Sequence, residues 1–257
     1  MRKSIALYCN AEISFEEKIR VFNSVGFDEF FTSIDDKKEN ICFAEQVKIQ
    51  KQLGMDGNMV HCHYYEPNLN FFWEKGQIGE DICNDYIRQI EKLGGACKNF
   101  VVHFNGDNGV SRQTKIGIKR IKKILKACEK YDTNLCIENL HSAEELPYIF
   151  EHINHKNLKI CYDTGHKNFL TPNLQICETL GKYVAVLHIH ENNGKKDEHK
   201  PLTIGGEMFK RLVKELKLVD NNIVLSAEIK IGKDNFYETI KQTYKSLCEL
   251  DKQINQD

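Results

Sequence analysis

The chain has almost no excess of charge: 36 Lys and Arg stand against 37 Asp and Glu, a formal net charge of −1. That balance argues against a strongly basic nucleic-acid binder, and the 41% hydrophobic content argues against a disordered chain. No apolar run is long enough to span a bilayer. The N-terminal MRKSIALYCN has neither an apolar stretch of useful length nor a small-residue cleavage site. We therefore expect a cytoplasmic protein with no membrane partner, whose N-terminal segment forms a first β-strand. Ten cysteines are present but no CxxC pair, and most sit inside apolar runs, as Cys136 and Cys161 do. They read as small core residues in a reducing compartment rather than as a disulfide framework. Neither a GxGxxG nor a Walker pattern occurs, which removes the phosphate turn that an open doubly wound sheet would show. With no linker, low-complexity segment or composition break, a single domain over residues 1–257 is expected.

What the chain does have is a repeated alternation. Short β-type runs near 4–8, 29–34, 58–64, 98–104, 134–138, 158–163, 184–190 and 223–229 are separated by segments with helical spacing of apolar residues. Several of those segments stop at glycine (Gly26, Gly54, Gly94, Gly181), where a left-handed cap costs little. The spacing predicts eight strands and eight helices. Strands flanked by helices pair in parallel with both faces covered, and eight such units in about 250 residues is the usual size of a closed (β/α)8 TIM barrel. Its active site is expected at the C-terminal ends of the strands.

Those strand ends are polar. The third run carries His61 and His63, the fourth His103, and the fifth closes at Glu138. Asp163 and His166 follow the sixth, His188 and His190 end the seventh with Asp197 and His199 in its loop, and Glu228 closes the eighth. A lone strand-end histidine is more often a hydrogen-bonded core residue than a ligand, and an Asp-x-x-His can be a helix cap. Buried carboxylates at Glu138 and Glu228 are harder to dismiss, because such groups rarely lack a cation partner. Imidazole nitrogen and carboxylate oxygen converging from successive strand ends suit borderline divalent metals.

At these residues the chain resembles the xylose-isomerase-like TIM-barrel superfamily. That group joins sugar and sugar-phosphate isomerases and epimerases with the endonuclease IV (AP endonuclease family 2) enzymes. The motifs are VHCHY at 60–64, VVHF at 101–104, IEN at 137–139, YDTGH at 162–166, LHIHEN at 187–192, DEH at 197–199, IGGE at 204–207 and AEI at 227–229. The resemblance runs over essentially the whole chain. In the isomerase and epimerase branch it implies one divalent ion, manganese or zinc, held by Glu138, Asp163, His188 and Glu228. The two glutamates would then also act as base and acid. In the endonuclease branch it implies up to three zinc ions, with His61 and His103 sharing Glu138 and with His166, Asp197 and His199 forming a further set. The endonuclease opening Gly-Ala-His is replaced here by Ala6-Leu7-Tyr8-Cys9-Asn10. The basic run KRIKK at 119–123 reads as a solvated helix face rather than a track for a DNA backbone.

The reading carried forward is a metal-dependent isomerase or epimerase of a small sugar or sugar phosphate, with one ion favoured. The alternative is a zinc-dependent phosphodiesterase of the endonuclease IV type. In the first reading Glu138 and Glu228 are catalytic, and His61, His103, His166, Asp197 and His199 serve further ions or the substrate. His63, His190 and Trp73 are expected to bind substrate, with Phe71 and Phe72 beside Trp73 as a lid over the sugar ring or as packing on a neighbouring helix. A monomer and a homodimer both fit, and the balanced charge does not by itself rule out a nucleic-acid partner.

Overall fold

The computed structural model describes residues 1–10, 12–34, 43–55, 57, 59–62, 68–106, 112–220 and 222–256, without the side chains of 43–46. Its eight strands are β1 Lys3–Ala6, β2 Glu29–Ser33, β3 Met59–His61, β4 Asn99–Val102, β5 Asn134–Glu138, β6 Leu158–Asp163, β7 Val184–His188 and β8 Leu225–Ala227. All pair in parallel, in the order β7-β6-β5-β4-β3-β2-β1-β8. The ring closes between the outermost two through a parallel bridge of Ile189 with Ala227. There Ile189 N–H donates to the Ser226 carbonyl at 2.8 Å and Glu228 N–H to the Ile189 carbonyl at 3.1 Å. The expected barrel is the observed one.

Outside the ring run α1 Phe15–Val25, α2 Phe43–Gln52, α3 Gln77–Leu93, α4 Lys115–Lys130, α5 Glu145–His152, α6 Thr164–Phe169, α7 Ile176–Leu180, α8 Glu207–Leu216 and α9 Phe236–Ile254. Local chemistry sets several ends. The Ser14 hydroxyl accepts Glu17 N–H at 3.2 Å to start α1, and Gly26 ends it in the left-handed region at φ 108°. The described residues thus hold one α-helix more than the spacing predicts, because α6 and α7 together fill the sixth connection. Gly181 also departs from expectation. Its φ is −52°, and it is small for another reason: a Cβ there would lie 2.8 Å from the Leu218 carbonyl oxygen.

Two apolar layers result from the strand pleat. Side chains alternate between the helix side and the lumen. In β5, Leu135 and Ile137 join the outer core while Cys136 points to the lumen. The lumen layer takes one residue from each of seven strands: Ala6, Phe31, Met59, Val101, Cys136, Cys161 and Val186. Two residues further along each strand, one pleat higher, the same face carries Tyr8, Ser33, His61, His103, Glu138, Asp163 and His188. The apolar plug thus forms the floor on which the polar mouth stands. Nine of the ten cysteines are described, all as free thiols and eight of them buried.

Candidate metal centre

Glu138, Asp163, His188 and Glu228 bring one ligand atom each to within 4.8 Å of one another, all four side chains being buried. The strand register makes this possible, since Asp163 pairs directly with His188 across β6 and β7. His188 Nδ1 lies 3.1 Å from Glu228 Oε2, 3.4 Å from Glu138 Oε2 and 3.8 Å from Asp163 Oδ2. Yet neither ring nitrogen makes an aligned hydrogen bond among the described residues, although the side chain is fully buried. Its ring is fixed instead by stacking on Phe31, with centroids 5.3 Å apart and planes 5° apart. A buried imidazole aimed at three carboxylates is costly by itself and well suited to a divalent cation. The donor set therefore fits the metal that the resemblance implies.

Two further groups flank the quartet. His61 Nε2 and His103 Nε2 approach the same Glu138 oxygen at 3.3 and 2.9 Å and lie 3.2 Å from each other. On the other side, Asp197 Oδ2 sits 2.6 Å from His199 Nε2 and 3.7 Å from His166 Nε2. His166 Nδ1 reaches back to Glu138 Oε1 at 3.0 Å. His199 holds its place with a left-handed backbone, φ 49°, a conformation that is uncommon outside glycine. All nine ligand-type residues named from sequence are thus brought into one continuous cluster.

Carboxylates and imidazoles of the cluster favour each other's charged forms, His103 excepted. Burial pushes the Glu138 and Glu228 carboxyls up, but His188 overrides it in both, with His103 also acting on Glu138, and holds both well below the usual range. Burial opposes charge on His188 and His166 as well. Cys161 and the Glu228 and Glu138 carboxylates nevertheless push His188 well up, and Asp163 and Asp197 do the same for His166. His103 goes the other way, lowered by burial despite Glu138. Among the described residues these mouth carboxylates have no Lys or Arg partner, so a metal would take the place of the imidazolium protons.

Three expectations for substrate contact fare differently. His63 lies outside the described residues. Trp73 is fully buried in a 3-10 turn, Leu69–Trp73, its indole N–H donated to the Phe104 carbonyl at 2.8 Å. It is packing rather than an open face, and of its aromatic neighbours Phe72 is buried and Phe71 is exposed, at 40%. The turn is gripped from below by buried Arg120, whose guanidinium donates to the carbonyls of Phe71, Phe72, Glu74 and Gly76. His190 is also fully buried.

Sequence reasoning missed Tyr8. Its hydroxyl donates to Glu228 Oε1 in a short hydrogen bond, while the ring stands edge-on to Phe31 at 5.8 Å. The signal was positional, since Tyr8, in the 3-10 turn Leu7–Cys9 just after β1, follows the lumen residue Ala6 by two, as His61 follows Met59. It also missed Glu145, a buried carboxyl that accepts from Asn105 Nδ2. A cavity of about 600 Å³ lies on the outside of the barrel against α5 and α7, and no mouth residue lines it.

The fold and its mouth define the class: a parallel eight-stranded (β/α)8 barrel with histidines and carboxylates gathered at the C-terminal ends of its strands. The family model for the xylose isomerase-like TIM barrel matches residues 20–249, and the chain belongs to that family. In sequence it is similar to the uncharacterized protein MJ1614 of Methanocaldococcus jannaschii, 26% identical over 200 residues that cover 66% of this chain and 77% of that one. In fold it is similar to a D-tagatose 3-epimerase-like protein, with a TM-score of 0.77 at 19% identity over 99% of this chain and 98% of that one. An L-ribulose 3-epimerase superposes with a TM-score of 0.79 at 14% identity, over 98% and 95% of the two chains.

Proposed function

We propose that the protein is a metal-dependent isomerase or epimerase of a small sugar or sugar phosphate. The observation that carries this reading is the buried Glu138, Asp163, His188, Glu228 quartet with two glutamates facing one centre. The two structural neighbours, a D-tagatose 3-epimerase-like protein and an L-ribulose 3-epimerase, support the same reading.

Glu138, Asp163, His188 and Glu228 would hold the ion, manganese or zinc. When bound, it supplies a Lewis acid that draws charge from adjacent carbonyl and hydroxyl oxygens and so acidifies the C–H between them. The chain does the rest. One glutamate, held ionised by the neighbouring imidazoles, would take the proton from carbon, and the other, protonated beforehand from solvent, would give a proton to carbon while the first releases its own to solvent. Tyr8 occupies Glu228 Oε1 and leaves Oε2 turned toward His188, so that carboxylate has one defined working oxygen. His166 and His199, at the rim with Asp197, are placed to bind substrate hydroxyls. Phe71, exposed above the Arg120-anchored turn, is the available lid residue.

One observation favours the phosphodiesterase alternative: the trios around Glu138 and Asp197 supply ligands for more than one ion. Metal analysis of protein prepared without chelators separates the two. We expect about one manganese or similar ion per chain and conversion of a ketose to its epimer or aldose. Two or three zinc ions together with cleavage of an abasic-site duplex would overturn the isomerase reading.

A further inference from the structure

We propose that His190 is a positioning residue whose Nε2–H fixes the Asp163 carboxylate for the central cation. The proposal rests on the metal-dependent reading above. Beside the Asp163 and His188 pairing, this side chain is a second link between the DTGH and HIH motifs. His190 Nε2 lies 3.1 and 3.2 Å from the two Asp163 oxygens and 3.6 Å from Asp197 Oδ1. Its Nδ1 is buried with no hydrogen-bond partner among the described residues. Unlike His188 Nδ1, which makes no aligned hydrogen bond, His190 Nε2 is aligned on both Asp163 oxygens, and a bare nitrogen there would set lone pair against lone pair. The proton therefore belongs on Nε2.

Every side of the ring is occupied. One face stacks on His199 with centroids 4.1 Å apart and planes 10° apart, and His166 stands edge-on at 5.9 Å. At the edge lies Gly165, where a Cβ would come within 1.9 Å of His190 Cε1. Gly165 opens α6 in ordinary helical backbone, so it is the His190 ring and not a left-handed angle that requires glycine there. The main chain is locked as well: His190 N–H donates to Thr164 Oγ1 at 3.2 Å, and that hydroxyl donates to the His190 carbonyl at 3.1 Å. Such a ring cannot reach a substrate. What it reaches is the carboxylate.

Asp163 Oδ1 also accepts His166 N–H at 2.6 Å, closing the start of α6. With Oδ1 held from two directions, Oδ2 is the oxygen turned to His188 in the quartet. Donors that orient a ligating carboxylate typically contribute about 10- to 100-fold in metal affinity.

The test is calorimetric titration of the metal-free full chain with manganese chloride alone, read at its tightest site. His190→Phe keeps the ring volume and the stacking but removes the N–H, and it should bind about 10- to 100-fold more weakly. His190→Gln, with an amide N–H near the Nε2 position, should recover most of that loss. Gly165→Ala should match the Phe variant although its imidazole is intact, because the new methyl displaces the ring. Binding by His190→Phe within twofold of wild type overturns the proposal while leaving the metal reading standing. No divalent binding by wild type removes the metal reading, and the proposal with it. Should the Phe variant fail to fold, the ¹⁵N imidazole spectrum of the wild type decides, a proton on Nδ1 in place of Nε2 being fatal.

Discussion

The two ends of the barrel handle buried charge in opposite ways. At the N-terminal end two carboxylates meet permanent cations: Glu29 lies 3.0 Å from the Arg2 guanidinium, and Asp251 lies 2.6 Å from Lys3 Nζ. Asn99 and Asn134 complete that layer with a hydrogen bond of 2.9 Å. At the C-terminal end Glu138, Asp163 and Glu228 crowd together among imidazoles and the Tyr8 hydroxyl, with no Lys or Arg partner among the described residues. The first arrangement is self-sufficient. The second is complete only with protons or metal, and that is the physical difference between an end that holds the barrel shut and an end built for chemistry.

Glu228→Gln probes that contrast most severely. Turnover should fall by about three orders of magnitude, as for loss of an acid–base group. The metal-free melting temperature should fall as well, since His188 overrides burial and the like charge of Glu138 to hold Glu228 below its ordinary range, and the ionised carboxylate therefore stabilises the metal-free fold at neutral pH. A fall in melting temperature with activity retained would make the mouth a structural ion cluster like the other end. Glu145→Gln comes next. Burial pushes the Glu145 carboxyl up to about 8 from its ordinary 4.5, against the Asn105 hydrogen bond. A raised folded value means that this group contributes no penalty below about 4.5 and progressively destabilises the fold as the pH rises to about 8. Unfolding by denaturant should therefore show wild type losing on the order of several kcal/mol across that window, and the Gln variant should not share the loss. An identical pH profile for the two proteins would show that Glu145 reaches solvent.

The smallest effect belongs to the other end. Burial opposes charge on Asp251, but Lys3 overrides it and holds the carboxyl below its ordinary 3.8. The pair therefore stabilises above that pH, and its contribution is lost as the pH falls through the depressed value. Lys3→Met should cost about 1 kcal/mol at neutral pH and progressively less in acid. Urea titrations at two pH values measure it, and an effect on metal affinity would break the separation of the two ends.

Much of this was legible before the fold. A residue that ends a strand on the lumen face of a barrel lies at the mouth, so His61, His103, Glu138, Asp163 and His188 were readable from the period-2 pattern alone. The pattern does not say how deep a ring goes. His190 follows His188 by one pleat and looked equally available to substrate, yet Gly165 and His199 enclose it. Trp73 looked like a lid because its neighbours are aromatic, but the Arg120 contacts that pull the turn down come from a helix more than forty residues away in sequence. Tyr8 was hidden for a simpler reason. A phenol gives no metal-ligand signal, and only the closure of the ring carries β1 round to Glu228.

That closure has a mechanical side. The barrel is a hoop with a clasp, and the clasp is the short joint at Ile189 between β7 and β8, where two hydrogen bonds meet. His188 stands on one side of the joint and Glu228 on the other. An ion gripped by both is a rivet through the clasp, so letting go of the ion and letting the hoop spring open draw on the same energy.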